Sequence, residues 1–379
     1  MTESALPLTY DGGPPAVPLD PAEDDVMDLH GFTFYGSAAE YFRVWIVNIA
    51  LSVLTLGIYS AWAKVRNKQY FYGNSVLAGS SFEYTANPVN ILKGRAIVFF
   101  VLVAYQVAST VQPMAALAIA LLVVPLLPWV IINAVRFNHR HSAYRNLSFH
   151  FDARYWEGFR VYILLTLAIF LSFGLAYPFV AWRRKQFLVT RSRFGNGEFS
   201  YGAEVGYFYL VYIIAGVIYA GVVIGAMVLV SGAAVFFAPE MGADVAEGVG
   251  NEGPGPLFFL ALFIGYVAFF IAFIIFNTGI QAAISNYVWS STRLDDIQFR
   301  LELSLPRIIW LQISNIAAIV LSFGLLIPWA RVRMVRYRLS CFTMRVPPER
   351  LDRFVATQRE YVTATGDEMG EAFDLDLGL

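Results

Sequence analysis

One motif occurs three times without a gap in this chain, and each copy marks the end of an apolar segment. The apolar run is closed by a glycine, followed by an aromatic residue, basic residues and a second aromatic residue. Aromatic side chains favour the interfacial layer of a bilayer, and Lys and Arg favour its headgroup side. The order is therefore typical of a helix that leaves hydrocarbon, and it predicts a repeat-built integral membrane protein. The copies occupy residues 55–70, 172–187 and 322–337.

The composition excludes an ordinary water-soluble domain. Of 379 residues, 58% are apolar and 15% are charged, whereas a soluble domain carries roughly 25% charged residues. The net charge is −1 and the basic residues lie at segment ends, so nothing indicates a nucleic-acid partner. The single cysteine, Cys341, excludes an internal disulfide, and no cysteine spacing fits a metal site. We expect no cofactor.

Seven apolar segments approach the length of about 20 residues that a spanning helix needs. They belong to a membrane domain, residues 31–346, between a disordered acidic tail, residues 1–30, and a mobile C-terminal tail, residues 347–379. The predicted fold class is an all-α polytopic membrane protein built from internal repeats, with short cytoplasmic β-hairpins between the helical segments. The segments lie near residues 43–63, 96–112, 114–135, 160–181, 206–237, 257–286 and 308–330.

The placement of Lys and Arg leaves two topologies open. Residues 96–135 and 194–292 contain neither, so the positive-inside tendency puts the tips of these two helical hairpins outside the cytoplasm. The three repeated segments have basic residues on both flanks. This favours re-entrant hairpins that turn at Gly57, Gly174 and Gly324 and return to the same side. Seven plain spans are the alternative, and the sequence alone decides for neither.

The polar connections carry a second repeat. In four of them an aromatic residue is followed twelve positions later by phenylalanine, and the residues after that phenylalanine alternate with the period of a strand. We expect hairpins from successive units to gather as a small cytoplasmic β-layer that caps the helices. Independent amphipathic linkers that lie on the membrane are the alternative. The pairs are Tyr70 and Phe82, Phe137 and Phe149, Phe187 and Phe199, and Tyr287 and Phe299.

The chain around the first copy also carries a family resemblance. Its strings are Phe34-Tyr-Gly36, Thr55-Leu-Gly-Ile-Tyr59, Trp62-Ala-Lys-Val-Arg66 and Phe82-Glu-Tyr84. Together they resemble the YjgN-like family of bacterial inner-membrane proteins, over roughly residues 30–345. The resemblance implies a multi-pass protein of the bacterial cytoplasmic membrane. The family is a domain of unknown function, so the resemblance implies no substrate, reaction or catalytic residue.

No catalytic constellation is visible, and we expect that the protein is not an enzyme. The histidines lie in tails or polar connections, and the one tight pair, His139-Arg-His141, has no cysteine beside it. We expect this pair to face anionic lipid rather than a metal ion. The apolar segments contain no ionisable residue between their ends, which disfavours a proton-driven pump.

Two sets of residues are candidate functional positions. Amides and hydroxyls inside the segments either bond between helices or line a pathway. Basic residues beside aromatic ones either set the topology or hold anionic lipid headgroups. The polar set is Asn48, Asn277, Thr278, Gln281, Asn286 and Asn315, and the basic set is Lys64, Arg66, Arg183, Arg184, Lys185, Arg331 and Arg333.

The repeats, the segment-breaking glycines and the intramembrane amides together favour transport or channel-like passage of a small solute or lipid. The alternative is a non-catalytic envelope scaffold that binds lipid or protein partners. Small residues along the fifth segment either pack within the chain or form a homo-oligomer seam, and the sequence favours neither. Membrane lipids are the expected partners.

Overall fold

Five units of one kind follow each other along the part of the chain that the structure, a computed structural model, describes. That part comprises residues 28–246 and 256–347, with residue 356. Most of both predicted tails, and the acidic loop 247–255, lie outside the described residues. The first strand begins at Asp28, three residues before the predicted start of the membrane domain.

Each unit consists of a strand, two consecutive helices and a second strand. The first helix of the third unit, α5, consists of three consecutive pieces. They are Tyr155–Phe159, a π-helical turn at Arg160–Leu164, and Leu165–Leu171. The units are β1 (Asp28–Phe34), α1 (Ala38–Leu54), α2 (Ser60–Gly73) and β2 (Ser75–Leu77); β3 (Ser80–Tyr84), α3 (Pro88–Val111), α4 (Pro113–Arg140) and β4 (Ser142–Tyr144); β5 (Leu147–Phe151), α5, α6 (Tyr177–Thr190) and β6 (Ser192–Phe194); β7 (Gly197–Tyr201), α7 (Val205–Ala246), α8 (Pro256–Ser290) and β8 (Thr292–Leu294); β9 (Ile297–Leu301), α9 (Leu305–Leu321), α10 (Ile327–Ser340) and β10 (Phe342–Val346).

The ten strands close into one antiparallel β-barrel, so the predicted all-α fold is wrong. Every strand pairs with its neighbours in sequence, and β1 also pairs with β10, with Asp28 opposite Val346. The physical reason is that a hairpin with strands of three and five residues buries little by itself and has unpaired edges. Closure joins all the apolar faces in one core and removes the edges.

The interior of the barrel is a packed core rather than a water-filled channel. The odd-numbered strands contribute the four phenylalanines of the pattern found in the connections and Phe32 of β1, and each even-numbered strand contributes a buried residue at an equivalent position. The alternation of Phe-x-Phe predicted one buried face per strand, and the barrel buries that face. The contributors are Phe32, Phe82, Phe149, Phe199 and Phe299 from odd strands, and Leu77, Tyr144, Phe194, Leu294 and Met344 from even strands.

The ten helices form a closed ring, in which each packs against the next and α10 packs against α1. Both ends of each helical hairpin join the barrel, so all five hairpins leave one side and return to it. Four helices are long and apolar enough to cross a membrane, and all belong to the second and fourth units. These stretches are Pro88–Val111, Pro113–Arg140, Val205–Val228 and Leu262–Ser290.

The hairpins of the first, third and fifth units are shorter and reverse direction in the same way. Leu56 and Gly57 have φ values of 49° and 91°, and the Gly57 N–H donates to the Ser52 carbonyl at 2.7 Å. The hydroxyl of Thr55 accepts a hydrogen bond from the Tyr59 N–H at 2.9 Å. The same bonds recur at Ser172 with Phe173-Gly174 and at Ser322 with Phe323-Gly324.

These three turns are apolar tips without protein cover. The side chains of Leu56, Phe173 and Phe323 are 95%, 98% and 97% exposed. The helix α1 has 17 residues, about 25 Å at 1.5 Å per residue, which is shorter than the hydrocarbon core of about 30 Å. Each repeated segment is therefore a helical hairpin that reverses direction rather than one straight helix, and its re-entry into the bilayer stays a prediction. Hydrogen bonds within each turn satisfy its backbone groups, as a position in hydrocarbon would require.

Candidate functional site

Basic side chains lie along α2, α6 and α10 between the apolar tips and the barrel. The ion pairs of the described residues lie elsewhere: Arg191, Arg193 and Arg300 pair with carboxylates at or next to strands. Within the described ranges, no basic residue on these three helices pairs with a carboxylate. Two cavities collect several of these cations.

The first cavity, here called the arginine groove, has a volume of about 780 Å³ and lies between α9, α10 and the start of α1. The Arg333 guanidinium donates to Asn315 Oδ1 at 3.1 Å and lies 5.0 Å from the ring centroid of Trp329. Arg307 lies 5.3 Å from the ring centroid of Tyr337. The groove is lined by Ala38, Arg307, Trp310, Leu311, Trp329, Val332, Arg333, Arg336, Tyr337 and Ser340.

The positive charge of this groove is particular to the third copy of the repeat. The offset of 267 residues that relates Gly57 to Gly324 also relates Glu40 to Arg307 and Gln69 to Arg336. In the middle copy the same positions hold Glu157 and Gln186. The third copy therefore replaces an acid and an amide by two arginines, while the position of Arg333 is basic in all three copies. A topology signal alone would not require this difference.

The second cavity, here called the lysine cavity, has a volume of about 430 Å³ and lies along α2. The Lys68 ammonium donates to Asn138 Oδ1 at 2.5 Å and lies 4.4 Å from the ring centroid of Tyr84. Burial and the neighbouring Lys64 lower the pKa of Lys68 to about 8. The lining residues are Ser60, Ala63, Lys64, Asn67, Lys68, Phe71 and Tyr72 of α2 and Arg331 of α10.

Two arginines, Arg95 and Arg331, add to the positive charge around this cavity. Burial and the charge of Arg95 lower the pKa of Lys64 below its usual range. The Arg95 guanidinium in turn donates to the hydroxyl of Ser60 on the cavity wall. Arg331 donates to the Tyr41 hydroxyl at 3.1 Å. The cavity thus brings together Lys64 and Arg331 from the predicted basic set.

The predicted polar set does not converge on one pathway. Asn48 and Asn315 are buried inside their own helical hairpins, where Asn48 donates to Asn67 at 3.1 Å and Asn315 accepts from Arg333. Asn286 bonds both backbone groups of Leu303, at 3.0 and 2.9 Å. These three amides hold elements together.

The other predicted residues lie apart from one another. Asn277 donates to the carbonyl one turn earlier in its own helix, at 2.9 Å. Arg184 donates to the Thr166 hydroxyl at 2.7 Å. Thr278 is half-buried, and Gln281, Arg66, Arg183 and Lys185 are exposed. None of these five residues lines the arginine groove or the lysine cavity.

Sequence reasoning missed the residues that distinguish both cavities. Arg307 and Trp310 lie outside the three repeated motifs, so a search for shared residues passes over them, whereas Arg336 lies inside the third copy among its basic residues. Arg307 and Arg336 stand out when the three copies are aligned, because the other two copies have Glu and Gln at these positions. Asn67 was not among the predicted sites, because nothing local indicates that α10 faces α2.

Comparisons with known proteins give a family but no structure. A family model described as "Bacterial protein of unknown function (DUF898)" matches residues 29–372. Three curated relatives are each named Inner membrane protein YjgN. The chain is 28% identical to that of Escherichia coli K12 over 147 residues, 27% to that of Escherichia coli O157:H7 over 145 residues, and 24% to that of Salmonella typhimurium LT2 over 147 residues.

The aligned stretch covers 37%, 37% and 38% of this chain, and 36%, 36% and 37% of the three relatives in the same order. The chain therefore matches little more than a third of the length of each relative. No solved structure matches it. The name of these relatives gives a location and no activity.

Proposed function

Since the chain belongs to the DUF898 family of bacterial proteins and is a multi-pass inner-membrane protein, we propose that it binds anionic phospholipid headgroups in the arginine groove. This is the lipid-binding alternative of the sequence analysis in a specific form. The observation that carries it is the combination of three arginines with two exposed tryptophans around one groove.

The chemistry of the groove suits a phosphodiester at a membrane surface. Guanidinium groups bind phosphate oxygens with two parallel hydrogen bonds. Tryptophan favours the headgroup level, where its ring is in an apolar layer and its N–H is in a wet one. Arg333 is held by Ser314 and Asn315 and by the Trp329 ring, so it is ordered before a ligand arrives. Preorganisation lowers the entropic cost of binding.

The arrangement of charge along the hairpins supports a cytoplasmic position for the barrel. The apolar tips point away from it, and the cations lie between tip and barrel. The positive-inside tendency then assigns the barrel side to the cytoplasm. A groove at this level meets the negatively charged leaflet, where each basic residue contributes about 1 kcal/mol of attraction.

Passage of a small solute is a second candidate, and one observation favours it. The lysine cavity lies where the first and fifth units of the helical ring meet, among side chains with unpaired charge. The barrel core is packed with phenylalanine, so a path would leave sideways between units rather than along the barrel axis. Flux of inorganic phosphate in protein-containing liposomes would support it, and a flux equal to that of empty liposomes would contradict it.

The lipid proposal is tested by giving the groove the residues of the other two copies. The variant Arg307→Glu with Arg336→Gln uses side chains that the repeat already accommodates in the first and middle copies. We expect at least a tenfold loss of phosphatidylglycerol affinity in detergent-solubilised protein, because three units of charge are removed from the site. Native mass spectrometry of bound lipid measures the affinity.

The matched control is Arg293→Glu with Arg338→Gln, which removes the same charge from exposed positions on β8 and α10 outside the groove. The control should bind phosphatidylglycerol like the unaltered protein. Equal losses in both variants would mean that net charge alone attracts the lipid. Equal affinity for phosphatidylcholine and phosphatidylglycerol in the unaltered protein would also contradict the proposal.

A further inference from the structure

We propose that the lysine cavity is a second binding site, specific for an oxyanion of the phosphate class and independent of the arginine groove. The two cavities share no lining residue. The ligand is either free phosphate or a phosphate monoester at the end of a lipid, since both present the same oxygens to the cavity.

The cavity wall carries hydrogen-bond donors that the fold does not use. Among the described residues, the Lys64 ammonium has no hydrogen-bond partner, and neither does the amide nitrogen of Asn67. The Asn48 side chain donates to the amide oxygen of Asn67 at 3.1 Å, which leaves the NH₂ group of Asn67 as an unused donor. Ammonium and amide N–H groups are donors, and an oxyanion accepts from both.

The charges around the cavity lack compensation within the described part of the chain. Lys64, Lys68, Arg95 and Arg331 lie on three helices around it, and none of them pairs with a carboxylate there. Like charges at close range destabilise each other, and burial adds to that cost. Burial is the main cause of the lowered pKa of Lys68, and the charge of Lys64 adds to it. A bound oxyanion would offset this repulsion directly.

The cation pair at the unit junction is particular to this place in the ring. The position of Lys64 is held by Ile131, Ala181 and Gln281 in the second, third and fourth units, and by Arg331 in the fifth. Two cations at this position therefore occur only in the two units whose strands β1 and β10 close the barrel. The cavity volume of about 430 Å³ suits a small ligand, since ligand pockets run from about 300 to 1,000 Å³.

The test titrates purified full-length protein with two probes, inorganic phosphate and dihexanoyl phosphatidic acid, using isothermal calorimetry in detergent. The site variant is Lys64→Gln with Lys68→Gln. Its matched control is Lys93→Gln with Lys185→Gln, which removes two exposed lysines. Lys185 is equivalent to Lys68 in the third unit but lines neither cavity. If the site variant fails to fold, Arg331→Gln replaces it.

We expect the unaltered protein and the control to bind at least one probe, and the site variant to bind it at least tenfold more weakly. Binding of inorganic phosphate identifies a free oxyanion, and binding of the short-chain lipid alone identifies a headgroup. No binding of either probe, or an equal loss in the control, would overturn the proposal. The groove variant Arg307→Glu with Arg336→Gln should bind like the unaltered protein, and a loss there would refute independence from the groove.

Discussion

At the scale of single residues, the glycines at the three short tips have the clearest physical role. Gly57, Gly174 and Gly324 each follow a residue that already has positive φ, and each has φ near 90° itself. A side chain at that φ is strained, because the left-handed region brings Cβ too close to the following carbonyl oxygen. An added Cβ at Gly57 would meet no other atom within 4 Å, so the strain is conformational and not steric crowding from neighbours.

We therefore expect Gly57→Ala to destabilise the protein by about 1–2 kcal/mol. The matched control is Gly73→Ala at the end of α2, where an added Cβ also meets no atom within 4 Å and φ is not positive. The control should be neutral or stabilising by up to about 1 kcal/mol, because alanine is the better helix residue. Thermal unfolding in detergent compares the two, and equal midpoints would contradict the role of the turn.

The sequence predicts these glycines as break points but not the hydrogen bonds around them. The motif places a hydroxyl two residues before each glycine, at Thr55, Ser172 and Ser322. Each hydroxyl accepts a hydrogen bond from a backbone N–H near the start of the next helix. This bond can be inferred only when the reversal of the chain is known. The environment of the groove arginines is harder still to predict, because Arg307 contacts Tyr337 of another helix and Arg336 donates to the Gly36 carbonyl before α1.

At the scale of elements, the strands were predictable and their assembly was not. The alternation around Phe82, Phe149, Phe199 and Phe299 indicates half-buried strands, and all four lie in strands with that ring in the core. Local pattern contains no information about how many hairpins join or whether β1 meets β10. Closure depends on non-local pairing between residues more than 300 positions apart, which periodicity cannot report.

The alternation itself makes a testable prediction in β10. Met344 is 3% exposed in the barrel core, and its neighbour Thr343 points the other way. We expect Met344→Asp to destabilise the protein by on the order of 3–5 kcal/mol, since it buries a charge without a partner. Thr343→Asp should change stability by less than about 1 kcal/mol. Unfolding midpoints of both variants measure this, and a similar loss in both would contradict the assigned faces.

At the scale of the whole molecule, five units of one kind with two hairpin lengths explain why the sequence repeats are uneven. The copies at residues 55–70, 172–187 and 322–337 are the three short hairpins, and the stretches without Lys or Arg are the two long ones. The basic residues along the chain therefore mark one level of the molecule, where the helices of all five hairpins leave the barrel and return to it. The transport hypothesis, the homo-oligomer and the absence of an enzyme activity stay predictions.

This architecture predicts that every barrel connection lies on one side of the membrane. In a Cys341→Ser background, single cysteines at Glu83, Ser200 and Arg293 should react with a membrane-impermeant maleimide only after the cells are permeabilised. A cysteine at Gln112, at the tip between α3 and α4, should react in intact spheroplasts. Labelling of Ser200→Cys without permeabilisation would contradict the common side.

The pairing of β1 with β10 has a consequence for synthesis. Residues 28–31 find their partners only in residues 343–346, so the ribosome must deliver nearly the whole chain before the first strand is fully bonded. Until then residues 28–31 of β1 remain an unpaired strand edge. Such late, long-range closure is slow and prone to mispairing. We therefore expect correct assembly to depend on the pairing of residues 343–346 with β1.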